Sequence, residues 1–392
     1  MTLRRKLLIV ALVYVIEGFP MGIYADVWPV YFRRQGVTLA EIGLLSGLSI
    51  AWSAKVLWSP LVDRFGERQH WIAGSLVAMA AALAVIASVP ATEITPLLWM
   101  ALTLYCLASA TQDIAIDAYT IGLVDRGEEG PTNSIRVAAY RVGLIAAGGG
   151  LLFLPRWIGW PGTFGIAIAL SIAMALSLAW TPRVPIPPES RSETRQALRR
   201  WLGRPAVWQV VAFVMLYRIG DRAMGPMIKP FWVDRGFADE TIAMVSTTAG
   251  ALATIAGAAV GGIFVRRAGI GVGLWLLGGF ALVSNLTYAA AAALPEFGAW
   301  PVYAASIVES FCGGLATAAF LSYLMHVCEK EHAAVQYALL TALYALAGSI
   351  VAVPSGWLAE HLDYAYYFAL TAAAALPAFF FLPGARRWID DS

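Results

Sequence analysis

The sequence predicts an all-α membrane protein with twelve transmembrane helices arranged as two similar six-helix halves. Three observations lead there. Of 392 residues, 59% are hydrophobic and 13% charged, whereas a soluble domain carries roughly 25% charge, so too little polar surface is available to cover a water-soluble particle. Apolar runs of about 20 residues, the length that crosses a bilayer, recur along the chain. The chain also repeats itself about 200 residues apart. Pro29-Val30-Tyr31-Phe32-Arg33-Arg34-Gln35-Gly36 with Ile42 is answered by Lys229-Pro230-Phe231-Trp232-Val233-Asp234-Arg235-Gly236 with Ile242. Met21-Gly22 is answered by Met224-Gly225, and Arg64-Phe65-Gly66 by Arg267-Ala268-Gly269. Duplicated hydrophobic halves are the usual construction of secondary transporters, with the ligand site between the halves near the bilayer midplane.

Breaks at charges, Pro and Gly place the twelve segments at 7–32, 41–62, 71–90, 96–124, 134–154, 162–181, 206–233, 241–265, 271–293, 298–325, 334–355 and 364–383. The first run is too long for a signal-peptide core of about 7–15 residues and is read as an uncleaved span. The Pro-, Arg-, Ser- and Glu-rich stretch 182–205 separates an N-terminal bundle, 1–181, from a C-terminal bundle, 206–392. With the N-terminus inside, eighteen of the 27 Lys and Arg fall in cytoplasmic segments and four (Arg33, Arg34, Arg156, Arg235) in external loops. The positive-inside rule then puts both termini in the cytoplasm.

Six helices, a basic linker and six more resemble the major facilitator superfamily. The loop Asp63-Arg64-Phe65-Gly66-Glu67-Arg68 is similar to its signature between the second and third helices, with Ser59-Pro60 where a Gly is usual. The second copy, Gly262 to Gly269, keeps the Gly and loses the Asp. Three further stretches resemble the AmpG-type permease family, whose members include bacterial muropeptide permeases, siderophore permeases and eukaryotic acetyl-CoA transporters. They are Glu17-Gly18-Phe19-Pro20-Met21-Gly22 through Gly36-Val37 to Lys55-Val56-Leu57-Trp58-Ser59-Pro60-Leu61-Val62-Asp63-Arg64, Ala108 to Tyr119, and Tyr140-Arg141-Val142-Gly143 with Gly148-Gly149-Gly150. Tyr217-Arg218-Ile219-Gly220-Asp221 resembles that family's seventh-helix pattern. The resemblance implies proton-driven uptake and leaves the substrate open.

Ionisable groups within spans are costly and are functional candidates by default. Here they are Glu17, Asp26, Lys55, Asp113, Asp117, Arg141, Arg218, Asp221, Arg222, Lys229 and Glu309. A rise of 1.5 Å per residue puts Lys55 and Asp117 roughly 12 Å, and Arg141 about 10 Å, from the cytoplasmic ends of their helices. The expectation is a buried network of Lys55, Asp117 and Arg141. Asp113 and Asp117, four apart, share a helix face. Asp113 and Glu17 lie about 16–18 Å deep. Glu17, Asp113, Asp117 and Asp221 are the proton-coupling candidates, because a carboxyl with incomplete counter-charge can exchange a proton during a cycle. Arg218 faces Asp221 three residues on, and is either neutralised by it or free to grip an anionic substrate bidentately. Arg141, Arg218, Tyr14, Tyr217 and Tyr344 are the substrate-binding candidates. Asp26 and Lys229 occupy matching repeat positions with opposite charge and are the expected external gate.

The glycines of 148–150 and 250–262 suit close helix approach. Cys106, Cys312 and Cys328 have no metal-type spacing, and His70, His326, His332 and His361 suggest no metal centre. No phosphate-binding Gly-rich loop ending in Lys-Ser/Thr and no His-Glu-x-x-His occurs. A net charge of +2 gives no bulk attraction for nucleic acid. The reading is a monomeric proton-coupled importer of the bacterial inner membrane, without cofactor. Its partners are the bilayer, protons and a medium-sized polar anion such as an anhydro-muropeptide. The alternatives are a siderophore importer and an acyltransferase-like membrane enzyme.

Overall fold

The computed structural model describes residues 1–125, 128–184, 203–328 and 333–390, and every regular element among them is helical. In chain order we name α1 (Leu3–Arg34), α2 (Leu39–Ala54), α3 (Arg68–Ser88), α4 (Pro96–Leu123), α5 (Glu129–Ile145), α6 (Pro155–Trp180), α7 (Val207–Leu216), α8 (Ile219–Asp234), α9 (Asp239–Ala268), α10 (Ile270–Ala293), α11 (Trp300–His326), α12 (Ala333–Ala352) and α13 (Ser355–Trp388). Eight of these, α1, α3, α4, α6, α9, α10, α11 and α13, are long and apolar enough to cross a membrane. The other four expected spans, 41–62, 134–154, 206–233 and 334–355, are occupied by the shorter or interrupted α2, α5, α7 with α8, and α12.

The chain packs as two units. One comprises Met1–Thr38, Leu48–Pro188 and Val233–Thr247; the other comprises Leu39–Gly47, Glu189–Trp232 and Thr248–Ser392. Each half thus lends a short segment to the unit built mainly from the other. Most of the expected linker, residues 185–202, lies outside the described residues.

Both faces of the long helices are apolar, as lipid contact requires. Helix α4 buries Leu98, Ala101, Leu102, Tyr105 and Cys106 and exposes Leu97, Met100, Leu104 and Leu107. In the first unit, Trp28 lies on Tyr105 with ring centroids 4.9 Å apart. In the second, Phe213, Tyr217, Phe320, Tyr323 and Leu340 form a buried core. Glycine sets the closest crossings. A Cβ on Gly18 would collide with the Tyr140 carbonyl, and one on Gly143 with the Val15 carbonyl, so α1 and α5 touch backbone to backbone. Gly257 and Gly314 do the same for α9 and α11.

The interruptions carry the charges. Helix α1 contains Pro20, followed by a π-helical turn over Ile23–Val27 that holds Asp26; such turns concentrate at functional sites. Helix α2 tightens into a 3₁₀ turn at Lys55–Leu57. Between α7 and α8 the helix breaks at Tyr217 and Arg218. Pro226 in α8 has no N–H to offer the carbonyl of Arg222 one turn earlier.

Candidate functional site

The first unit gathers five charged groups from four elements. Tyr14 and Glu17 are one turn apart on α1, and Asp113 and Asp117 one turn apart on α4. The 3₁₀ turn after α2 supplies Lys55, and α5 supplies Arg136. Lys55 Nζ lies 3.4 Å from Asp113 Oδ2. Arg136 Nη2 lies 2.7 Å from Asp117 Oδ1, and the Tyr14 hydroxyl donates to the same oxygen at 2.7 Å. The Arg136 guanidinium also sits over the Tyr14 ring, 4.7 Å from its centroid. Glu17 has Asp113, Asp117, Lys55 and Arg136 as its charged neighbours. Its Oε2 is buried and has no hydrogen-bond partner among the described residues. Three carboxyls therefore face two cations, and the one left over is Glu17.

This geometry corrects the expected Lys55–Asp117–Arg141 network. Lys55 pairs with Asp113, and Asp117 pairs with Arg136. Arg141 makes no ion pair among the described residues. Depth was matched but direction was not: five residues along a helix turn a side chain by about 140°, so Arg136 and Arg141 leave α5 on different faces. Arg136 lies only two residues inside the expected span 134–154 and is absent from the span charges read from the sequence. Helix α5 begins at Glu129, which places Arg136 about 10 Å into the helix.

The second unit holds a smaller set. Arg218 donates from Nε at 3.0 Å and from Nη2 at 2.6 Å to Asp221 Oδ2. Its Nη1 donates to the Gly313 carbonyl at 2.7 Å and to the Thr317 hydroxyl. The open choice for Arg218 is thus resolved in this structure: it is neutralised by Asp221. Glu309 on α11 neighbours Asp221, Arg218 and Lys229, so two carboxyls and two cations balance. Glu309 was visible as a span charge but had no assigned role.

Tyr217 departs from its expected substrate role. Its hydroxyl donates to the Leu274 carbonyl at 2.9 Å and its ring stacks on Phe320 at 5.5 Å, so it is a core residue. Tyr14 is buried and belongs to the charge cluster. Tyr344 lies beneath the guanidinium of Arg222, 4.9 Å from the ring centroid. Of the expected gate pair, Asp26 lies in the first unit, accepts a hydrogen bond from Thr247 at 3.3 Å and fills the space that a side chain at Gly148 would need. Lys229 is buried in the second unit. Near the same end of α1, Arg33 grips Asp234 with two bonds of 2.5 and 2.9 Å, and Arg34 pairs with Asp239 at 2.9 Å. Among the described residues no cluster of three His, Cys, Asp or Glu could hold a metal ion.

Residues 10–352 match the family described as Major Facilitator Superfamily. The chain belongs to this superfamily. It is 30% identical over 388 residues to the anhydromuropeptide permease of Escherichia coli K12, covering 95% of this chain and 78% of that one. It is 27% identical over 393 residues to putative transporter AmpG 4 of Rickettsia conorii, covering 94% and 93%. These relatives place it in the AmpG-type permease family. In structure it resembles a bacterial homologue of the human lysosomal transporter Spinster in an inward-facing conformation (TM-score 0.76, 15% identity, covering 99% and 98%). It also resembles a D-xylose-proton symporter (TM-score 0.72, 14% identity, covering 97% of each). This major facilitator chain is a multi-pass membrane transporter and not an enzyme.

Proposed function

We propose that this AmpG-type permease is a proton-coupled importer of a carboxylated solute of the anhydro-muropeptide class across the inner membrane, with both termini cytoplasmic. The single observation that carries the coupling is the surplus carboxyl of the first unit. Glu17, Asp113 and Asp117 face Lys55 and Arg136, and Glu17 Oε2 is buried without a hydrogen-bond partner among the described residues. An unpaired buried charge is costly, and one proton brings the cluster to neutrality. Proton gain and loss at Glu17 then changes the net charge of the site by one in each cycle, with Asp113 and Asp117 as its exchange partners.

The substrate class rests on the relatives, one of which is named an anhydromuropeptide permease. Arg141, without an ion-pair partner among the described residues, is the first-unit group offered to a substrate carboxylate. Asp221 and Arg218 hold each other and shape the second unit. The moving bodies in this reading are the halves 1–181 and 206–392, with Asp26 and Lys229 as the external gate between them. Protein reconstituted in liposomes tests the reading. A pH gradient, acid outside, drives accumulation of labelled anhydro-muropeptide, and a proton-conducting ionophore abolishes it. Gradient-driven uptake of a ferric siderophore in its place overturns the substrate. Uptake indifferent to the gradient overturns the coupling.

A further inference from the structure

Repeat-equivalent positions meet different ends in the two units. In the first, Gly18 of α1 lies against the Tyr140 carbonyl and the Leu144 amide of α5. Each has a counterpart 204 residues on: Arg222, Tyr344 and Gly348. The same three-cornered contact recurs with an arginine in the place of the glycine. The Arg222 guanidinium lies 4.9 Å from the Tyr344 ring centroid, and a Cβ on Gly348 would stand 2.6 Å from Arg222 Nε. Where one repeat uses its smallest residue to bring two helices together, the other inserts a long cation and makes room for it with a glycine on the facing helix.

Packing alone does not account for that exchange. Arg222 is exposed, and no described carboxylate pairs with it. It lies twelve residues before the end of α8 at Asp234, about 18 Å by helical rise, near the middle of a hydrocarbon core of about 30 Å. An unpaired guanidinium at that depth cannot face lipid without a large cost, so it faces water or a polar solute. The neighbouring charges close among themselves: Asp221 with Arg218, and Glu309 beside Arg218 and Lys229. Among the described span charges around Arg218, Arg222 is left as the surplus cation. Resting on the face of Tyr344 orders its planar fork while leaving the N–H edge available to an anion.

We propose that Arg222, seated on Tyr344 and against Gly348, is the specificity-determining residue that takes the substrate's carboxylate in the second unit. Arg218, another of the substrate-binding candidates read from the sequence, is held by Asp221. The assignment rests on the muropeptide reading and adds to it the group that recognises the anion.

The test is binding to the purified full-length chain of anhydro-muropeptide and of the same molecule with its peptide carboxyls amidated. Wild type is expected to bind the acid about tenfold or more tightly than the amide, the effect of one hydrogen-bonded charge. Arg222→Gln is expected to lose most of that preference, keeping only what Arg141 contributes. Gly348→Ala, which retains the charge but displaces the guanidinium, should lose most of the preference, and Arg222→Lys should recover part of it. Folding is checked by elution profile and melting. Gly at the equivalent position 18 makes Arg222→Gly a second variant, with the same loss expected, should the Gln form fail to fold. A folded Arg222→Gln or Arg222→Gly that keeps the wild-type preference overturns the assignment alone. Wild type that binds neither form overturns the muropeptide reading and the assignment with it.

Discussion

Replacing Glu17 with Gln tests the charge count of the first unit. The amide has the shape of a protonated carboxyl and cannot release a proton. If Glu17 carries the proton in the resting state, the substitution leaves the cluster neutral, and melting should shift by no more than about 0.5 kcal/mol in stability. If Glu17 were ionised instead, removing an unpaired buried charge would stabilise the protein by several kcal/mol. Transport separates the two further. A gradient of one pH unit stores about 1.4 kcal/mol per proton, which supports up to about tenfold accumulation at one proton per substrate. Wild-type proteoliposomes should approach that ratio. Glu17→Gln should equilibrate substrate to a ratio of about one while still exchanging labelled for unlabelled substrate across the membrane. Asp113→Asn should act differently, because it leaves Lys55 without its carboxylate 3.4 Å away and so disturbs binding as well as coupling. Gradient-driven accumulation by Glu17→Gln at the wild-type level would refute the assignment.

Four other outcomes follow from particular contacts. Arg136→Gln should cost about 1 kcal/mol, a value limited by solvent around the half-exposed Asp117 pair, and Arg141→Gln less than about 0.5 kcal/mol; thermal melts giving the reverse order would return Arg141 to the network. Lys6 donates to Asp125 and, at 2.7 Å, to Glu128, and its hydrogen bonds hold both carboxyls below their ordinary values. That stability is present above the unfolded values of about 3.9 and 4.3 and is lost as pH falls through the depressed folded ones, so Lys6→Ala should flatten the acid limb of a melting-versus-pH curve. Asp363 has φ 61° and ψ 156°, backbone geometry suited to glycine, and its repeat counterpart is Gly159 at φ 66°; Asp363→Gly should therefore stabilise by about 1 kcal/mol in melting, and a loss would show that the side chain is needed. A charge-reversal cycle on Asp26 and Lys229 should show coupling, and a value under about 0.5 kcal/mol would leave them independent.

What the sequence made legible was what repeats and what needs glycine. Gly36 and Gly236, quoted as equivalents from their flanking residues, turn at φ 88° and 77°, and Gly66 and Gly269 at 71° and 85°. A turn with positive φ favours glycine, and at these two places it leaves the same mark in both copies. Depth was also legible, since it follows from counting residues: Lys55, Asp113, Asp117 and Glu17 do share one cluster. Direction around the helix was not. The choice of Arg136 over Arg141 depends on the face of α5 that meets α4, and the pairing of Lys55 with Asp113 depends on a 3₁₀ turn at Lys55–Leu57. No proline or glycine within that turn announces it. The break at Tyr217 and Arg218 was equally silent.

The two units differ because equivalent acids were given different neighbours. Glu17 corresponds to Asp221 in the repeat, and three residues earlier stand Tyr14 in one copy and Arg218 in the other. Arg218 reaches Asp221 directly and fixes it as a pair. The Tyr14 hydroxyl passes Glu17 by and donates to Asp117, so the acid in the first unit keeps no counter-charge of its own. A second exchange has the opposite sign: Gly18 in the first unit closes a helix contact, whereas Arg222 in the second opens one and leaves a cation over. The cluster around Glu17 thus holds a carboxyl more than its own cations, and the set around Arg222 a guanidinium more than its carboxyls. A duplicated fold provides two equivalent frames, and these two substitutions suit one to holding a proton and the other to holding an anion.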